Sequence, residues 1–272
     1  MGRRLRTSLW LQLREYRSRL VPLVMLAMLP LLFWAGTFFS IDPNAKAVST
    51  EVLAPYETAV GPLVVAEVPE RDTWPMDTAF MGVGWGLAAA ALFSIIGSGA
   101  RDRRLILAGY RAWEILLARL VILLLLAVPI SGIPVLVTAL FSAMTPPHLG
   151  LVWLGCYFAA VVGAGIGLIV GSLLPRQLEG TILLIGIIGT EISIPFDVTL
   201  RHYLPLYGPQ ALFVAGRFAA DPIVLAHVLR GLAWGAGLTA IATALWTWRV
   251  RVYRQPEPTI EPAAYQPRTR TP

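Results

Sequence analysis

The chain has 272 residues, of which 56% are hydrophobic and only 14% are charged. This is too little polar surface to coat a water-soluble globule of that length, so the composition predicts a membrane protein with several spans. The uncharged runs are about 20 residues long, which fits helices that cross roughly 30 Å of hydrocarbon and excludes an outer-membrane barrel.

The net charge of +6 indicates orientation rather than nucleic-acid binding, because lysine and arginine collect in the cytoplasmic loops of membrane proteins. Cys156 is the only cysteine, so the sequence contains neither an intrachain disulfide nor a cysteine-based zinc site. Lys46 is the only lysine, and it does not belong to a phosphate loop that ends in Gly-Lys-Ser/Thr. We therefore expect no enzyme here, and a partner would have to power any nucleotide-driven work.

Arginine is interleaved with apolar residues at the N-terminus, which predicts an amphipathic helix on the cytoplasmic membrane surface from about Arg3 to Arg19. The run from Val21 to Ser40 is too long for a signal-peptide core, and we interpret it as the first span. An acidic outer loop follows at residues 41–77. A glycine-rich second span is predicted from about Thr78 to Ser98.

A charged inner segment, residues 99–119, leads into a third span from about Leu120 to Phe141. Span four is predicted from Leu151 to Leu174, and span five from about Thr181 to Pro195. The stretch 196–221 is broken by prolines and only moderately apolar, which predicts an outer re-entrant or interfacial segment.

A sixth span from about Pro222 to Trp248 ends at an arginine-rich inner boundary. Most of the 22 lysines and arginines then fall in inner segments, which predicts six spans with both termini in the cytoplasm. The predicted fold is an all-α membrane protein with an interfacial helix (1–20), a transmembrane domain (21–254) and a tail (255–272). The tail is rich in proline, and we expect it to be disordered.

Glycines recur every four residues on one face of two predicted spans. They are Gly163, Gly167 and Gly171 in span four, and Gly231 and Gly235 in span six. This spacing permits close approach of two helices. Packing within the chain and a dimer interface both account for it, and we favour packing within the chain.

Two ionisable residues fall inside predicted spans, Glu191 in span five and Arg230 in span six. An unpaired charge there costs at least about 2.5 to 3.5 kcal/mol on insertion scales. Mutual pairing, a substrate or gate contact, and contact of Glu191 with outer water are the alternatives. His148, His202 and His227 have no spacing that would place two of them on one metal ion, and the spans hold no recognisable catalytic constellation.

The segment from Arg101 to Arg119 is the most informative part of the sequence. It reads Arg-Asp-Arg-Arg-Leu-Ile-Leu-Ala-Gly and, after Tyr110, Arg-Ala-Trp-Glu-Ile-Leu-Leu-Ala-Arg. Gly109 joins a charged amphipathic stretch to a helix that enters the membrane. An ordinary positive-inside loop accounts for the pattern, and so does a docking helix for a cytoplasmic partner.

The chain resembles permeases of ATP-binding cassette (ABC) type-2 exporters. The resemblance rests on this segment, on the arginine-rich N-terminal helix, on the six spans and on the Pro-broken outer stretch. It also rests on the sequence Gly-Ser-Leu-Leu-Pro-Arg-Gln-Leu-Glu-Gly from Gly171 to Gly180. The resemblance covers about residues 1–254. It implies that the inner segment is a coupling helix in a cleft of an ABC ATPase, with the N-terminal elbow helix beside it. The implied docking residues are Arg101, Asp102, Arg103, Arg104, Leu105 and Gly109.

The resemblance also implies export of a hydrophobic or amphipathic substrate, such as a drug, an antibiotic or a lipid-like molecule. ATP and Mg²⁺ would bind to the partner ATPase, with no cofactor or metal on this chain. A second permease chain, identical or similar, would complete the pathway within the membrane lipid. Spans two and five line the path in the family, so Phe80, Trp85 and Phe93 are candidate lining residues.

The expected location is the plasma membrane of a bacterium, since the chain has only one lysine and one asparagine, a usage typical of GC-rich genomes. A secondary carrier, or a membrane enzyme or assembly factor that works without ATP, is the alternative. The absence of paired broken helices argues against the carrier, and the absence of a catalytic constellation argues against the enzyme.

Overall fold

The computed structural model describes residues 6–7, 9–14, 20–42, 47–48, 50–64, 68–142, 146–195 and 198–251. Nearly all of these residues are helical. The only sheet in the described ranges is a pair of two-residue antiparallel strands, β1 (Ala47–Val48) and β2 (Val68–Pro69). The fold is therefore all-α, as the composition predicts.

Nine helices carry labels here, in chain order. They are α1 (Leu20–Ser40), α2 (Thr50–Val60), α3 (Glu70–Gly97), α4 (Gly99–Leu107), α5 (Ala112–Phe141), α6 (Leu149–Leu173), α7 (Gln177–Ser193), α8 (Tyr207–Phe218) and α9 (Leu225–Arg251). A 3-10 helix at Thr199–Tyr203 connects α7 to α8.

Four of the helices, α3, α5, α6 and α9, are long and apolar enough to cross a membrane. They coincide with predicted spans two, three, four and six, so the chain is a multi-pass membrane protein. The apolar stretch found in α1, Met28–Ser40, is shorter than a membrane-spanning helix, and α7 has only 17 residues. Spans one and five therefore stay predictions.

The helices begin earlier than hydropathy predicts. The second span was expected from Thr78, but α3 begins at Glu70. Helix α5 begins at Ala112, before the predicted third span but directly after the Gly109 joint, where the sequence predicts a helix that enters the membrane. The added first turns carry acidic side chains, which favour the positive end of the helix dipole but lower hydropathy. The predicted outer loop is correspondingly shorter, and it contains α2 and the two strands.

Helix α6 occupies the centre and packs against α3, α5, α7, α8 and α9. Its glycines allow the closest of these contacts. A Cβ atom added at Gly163 would lie 2.3 Å from the Gly84 carbonyl oxygen of α3, and one at Gly167 would lie 2.0 Å from the Ala88 carbonyl oxygen. The glycine face of span four therefore serves packing within the chain, as we favoured.

The glycines of α9 serve the same purpose. An added Cβ atom would lie 3.0 Å from Phe158 at Gly231 and 3.0 Å from Val161 at Gly235, and both neighbours belong to α6. Close helix packing within one chain accounts for both glycine faces.

Within the predicted outer segment 196–221, the described residues form the 3-10 helix and α8. All twelve residues of α8 are buried, because α2, α6 and α9 pack around it. At the N-terminus, residues 6–7 and 9–14 are helical. The remainder of the predicted elbow helix and the predicted tail 255–272 lie outside the described residues.

Candidate functional site

The inner segment forms the short helix α4 between α3 and α5. Gly109 closes it with a φ of 88°, a conformation that glycine adopts without strain, and the Tyr110 amide donates to the Leu105 carbonyl at 3.0 Å. Helix α5 then begins with the Glu114 carboxylate accepting from the Arg111 amide at 3.0 Å. The predicted joint at Gly109 is confirmed.

A buried ion pair fastens α4 to α5. The guanidinium of Arg119 donates to the Asp102 carboxylate at 2.8 Å and to the Ser98 hydroxyl at 2.5 Å, and Arg119 is 0% exposed. Its guanidinium carbon also lies 5.6 Å from the centre of the Trp246 ring on α9. These three residues, Ser98, Asp102 and Arg119, are called the inner cluster below. They connect α4 to the end of α3, to α5 and to the Trp246 side chain of α9.

Arg101 extends the contact to the N-terminal helical residues. Its side chain donates to the Gln12 amide oxygen at 3.2 Å and lies 3.6 Å from the Asp102 carboxylate. Desolvation lowers the pKa of the half-buried Arg101 guanidinium, and the neighbouring Asp102 carboxylate opposes that shift. Residues 9–14 therefore touch α4 at this point.

The opposite face of α4 is exposed. Arg103, Arg104 and Gly109 lie on it, and Leu107 has 75% of its surface exposed. Leu105 is half-buried. Asp102, predicted as a docking residue, instead points into the protein, because its carboxylate is held by Arg119. A partner could reach the two arginines and Leu107, but not Asp102.

Neither Arg119 nor Leu107 is among the docking residues predicted from the sequence. Arg119 was placed just outside span three, whereas it lies within α5. An arginine inside a long apolar helix is expensive and needs a partner. This signal predicts that Arg119 has a partner, but Glu114 rather than Asp102 is the nearest preceding acid, so sequence spacing alone does not identify the pair.

A second buried polar group holds α8 to α3 at the other end of the helices. Arg217 of α8 donates to the Asp77 carboxylate at 3.2 Å and, through its other terminal nitrogen, to the Asp72 carbonyl oxygen. The Ser142 hydroxyl donates to the Asp72 carboxylate at 3.3 Å. Asp72, Asp77 and Arg217 are called the outer cluster below. Nearby, Arg201 donates to Gln210.

Glu191 and Arg230 have different partners. Glu191 is buried and accepts a hydrogen bond from the Leu206 amide, whereas Arg230 is exposed and places its guanidinium 5.2 Å from the Tyr207 ring centre. The structure does not bring the two side chains into an ion pair, so the predicted pairing is not the observed arrangement. Both residues contact the start of α8 instead.

The three candidate path residues lie in different surroundings. Phe80 is buried in the core with its ring centre 5.0 Å from that of Phe213, so it faces no opening in this chain. Trp85 is half-buried and packs edge-on against Phe33 at 5.1 Å. Phe93 is 37% exposed, and it alone of the three presents a large free surface.

Within the described residues, no group of three or more His, Cys, Asp or Glu side chains could hold a metal ion. His227 has a structural contact: its Nε2 atom lies 2.9 Å from the Ala59 carbonyl oxygen, which ties α9 to α2.

The fold and these contacts define an all-α, multi-pass membrane protein. Its short helix α4 is bonded to α5 on one side and exposed on the other, at one end of the long helices. Comparison of the chain with protein-family models finds no match, and comparison with curated protein sequences finds none either.

Proposed function

We propose that the chain is the permease subunit of an ABC exporter, which moves a hydrophobic or amphipathic molecule out of a bacterial cell with the help of a separate ATPase. The exposed face of α4 carries the proposal. Arg103, Arg104 and Leu107 project from a short helix outside the spans, and the ion pair between Asp102 and Arg119 holds the other side of that helix.

A helix that receives force from a partner has to be fixed to the spans that move. Helix α4 meets this need, because it continues from α3 through Ser98 and is bonded to α5 through Arg119. Arg119 in turn contacts Trp246 of α9. Displacement of α4 would therefore act on three long helices at once, which is what an ATP-driven switch between two conformations requires.

The chemistry of the exposed face suits a protein cleft. Two arginines provide charge complementarity to an acidic edge, and an exposed leucine provides apolar contact. ATP and Mg²⁺ would bind to the ATPase, and a second permease chain would complete the path across the plasma membrane.

Apolar surface supports a hydrophobic or amphipathic cargo. Phe93 on α3 and Ile182, Leu183 and Ile185 on α7 expose 37%, 61%, 42% and 48% of their surfaces, respectively. Helix α7 corresponds to predicted span five, and α3 to span two, the two spans that line the path in the family that the sequence resembles. A polar cargo would find few hydrogen-bonding partners along these faces.

The test is affinity purification of the tagged chain from its native host in mild detergent, with mass spectrometry of the proteins that co-elute. The docking variant carries Arg103→Glu, Arg104→Glu and Leu107→Asp. The matched control is Arg176→Glu, since the Arg176 side chain is 79% exposed on the other predicted inner turn.

We expect an ABC ATPase to co-elute with the wild-type chain and with the control, and to be lost from the docking variant while its elution volume in size-exclusion chromatography is unchanged. Retention of the ATPase by the docking variant would refute α4 as the docking helix. Repeated absence of any ATPase from the wild-type sample would refute the exporter and favour a self-contained membrane protein.

A further inference from the structure

A groove of about 630 Å³ lies between α6, α7 and α9. This volume is within the range of pockets that enclose one small molecule. Its walls are almost entirely aliphatic, with side chains from all three helices: Ile166, Ile169, Val170, Leu183, Ile187 and Leu238. Leu183 and Ile187 are 42% and 38% exposed, so the groove is open on the side of α7.

One charged side chain lines this groove. Glu191 is 6% exposed and is the sole ionisable residue among the groove's described lining residues, where Thr190 is the only other polar side chain. One carboxylate oxygen of Glu191 accepts a hydrogen bond from the Leu206 amide. Among the described residues Glu191 forms no ion pair within 4.0 Å, and the guanidinium of Arg201, which donates to Gln210, acts on its carboxylate only electrostatically at longer range.

A carboxylate at the wall of an apolar groove selects the charge of what enters. An anion would be repelled, a neutral hydrocarbon would bring no positive charge into the groove, and a polycation would meet no second acid among the described lining residues. A ligand with an apolar body and one positive charge satisfies both parts of the groove, because burial of its body removes apolar surface from water and its charge compensates Glu191.

We propose that this groove binds a hydrophobic monocation, whose positive charge faces Glu191 and whose body packs between the aliphatic faces of α6, α7 and α9. Such a ligand would enter from the lipid along the exposed side of α7. The identification of this ligand with exported cargo rests on the proposed exporter function, whereas the binding itself does not.

The experiment measures equilibrium binding of two probes to the purified chain in nanodiscs, with no ATPase present. Tetraphenylphosphonium is a hydrophobic monocation, and tetraphenylborate is an anion of nearly the same size and shape. We expect the cation to bind at least about tenfold more tightly than the anion, which is at the low end of the effect of one buried charge partner.

The charge is tested with Glu191→Gln, which keeps a carbonyl oxygen for the Leu206 amide and so preserves the local fold. The matched control is Glu179→Gln on the same helix, where the side chain is 47% exposed. We expect Glu191→Gln to weaken cation binding by about tenfold and Glu179→Gln to leave it unchanged.

The shape of the groove is tested with Gly186→Phe. A Cβ atom at Gly186 would meet nothing within 4 Å, so the phenyl ring fills the groove without a clash at its base. Gly132→Phe on α5 is the matched control, because a Cβ atom there is equally free. We expect the first variant to lose cation binding and the second to keep it, both with the wild-type elution volume.

Equal binding of the two probes, or cation binding that survives either Glu191→Gln or Gly186→Phe, would overturn the proposal. The outcomes are separable from those of the exporter test. Selective cation binding without a co-eluting ATPase would support the groove and refute the exporter. A co-eluting ATPase with Glu191-independent binding would do the reverse.

Discussion

The inner and outer clusters both fix a short helix to the long helices, but they leave that helix in opposite states. In the inner cluster, Arg119 holds one side of α4 and the other side stays exposed. In the outer cluster, Arg217 holds α8, and every residue of α8 is buried. An ion pair between an arginine and an aspartate thus occurs at both helices, but α4 keeps an exposed face and α8 is buried.

The difference lies in what else surrounds each helix. Helix α8 is packed by α2, α6 and α9, so its arginine adds to many apolar contacts. Helix α4 has a single buried polar residue, Asp102, and no apolar residue that is fully buried. Ile106 of α4 packs against the core only in part, so we infer that the ion pair contributes more than apolar packing to the orientation of α4, whereas packing dominates at α8.

The largest expected effect follows from breaking the inner cluster. Arg119→Met leaves the buried Asp102 carboxylate without its strongest partner, which costs about 3 to 5 kcal/mol. In a chain of this size we expect the apparent melting temperature in detergent to fall by roughly 10 °C, as measured by tryptophan fluorescence. Because the orientation of α4 is lost, ATPase co-purification should fall as well.

The double variant Arg119→Met with Asp102→Leu separates these two effects. Removal of both charges spares the desolvation cost, so most of the stability should return. The ATPase should still be lost if the ion pair orients α4. Full recovery of co-purification in the double variant would show that the ion pair does not position the helix.

A smaller effect is expected from the outer cluster. Arg217→Met removes the hydrogen bonds to the Asp77 carboxylate and the Asp72 carbonyl oxygen, but Asp77 is 13% exposed and its carboxylate can regain some water. We expect a loss of about 2 kcal/mol in the same melting experiment, with ATPase co-purification retained. A loss as large as that of Arg119→Met would contradict the view that packing dominates at α8.

The smallest effect concerns pH. Desolvation, together with the negative charge of Asp77, raises the pKa of Tyr56 on α2 to about 12. The unfolded chain releases this proton near pH 10. The stability contributed by neutral Tyr56 is therefore complete below about pH 10 and is lost as the pH rises toward 12.

Tyr56→Phe should make the melting temperature fall less between about pH 9 and pH 11 than it does in the wild-type protein. The control Tyr203→Phe alters a tyrosine that is 72% exposed and leaves Tyr56 in place. It should keep the wild-type pH dependence. Identical curves for Tyr56→Phe and wild type would show that this tyrosine does not sense the outer cluster.

Some features could be predicted from the sequence because they depend on local spacing. The four-residue repeat of Gly163 and Gly167 indicates a face that another backbone can approach, and Gly109 marks a joint that needs a positive φ. Four of the six predicted spans follow from hydropathy alone.

Other features depend on residues distant in sequence. The direction of Asp102 is set by Arg119, which is 17 positions further on, so a run of charges in α4 does not reveal which of them points inward. Phe80 is aromatic and lies in an apolar span, yet its burial depends on Phe213 of α8. The Glu191 groove is likewise formed by three helices, and no single stretch of sequence encodes it.

The glycine contacts between α3 and α6 also bear on permeability. Where Gly163 meets the Gly84 carbonyl and Gly167 meets the Ala88 carbonyl, not even a methyl group fits between the two backbones. At these two points α3 and α6 touch backbone to backbone, so no route for a solute of side-chain size runs between them there.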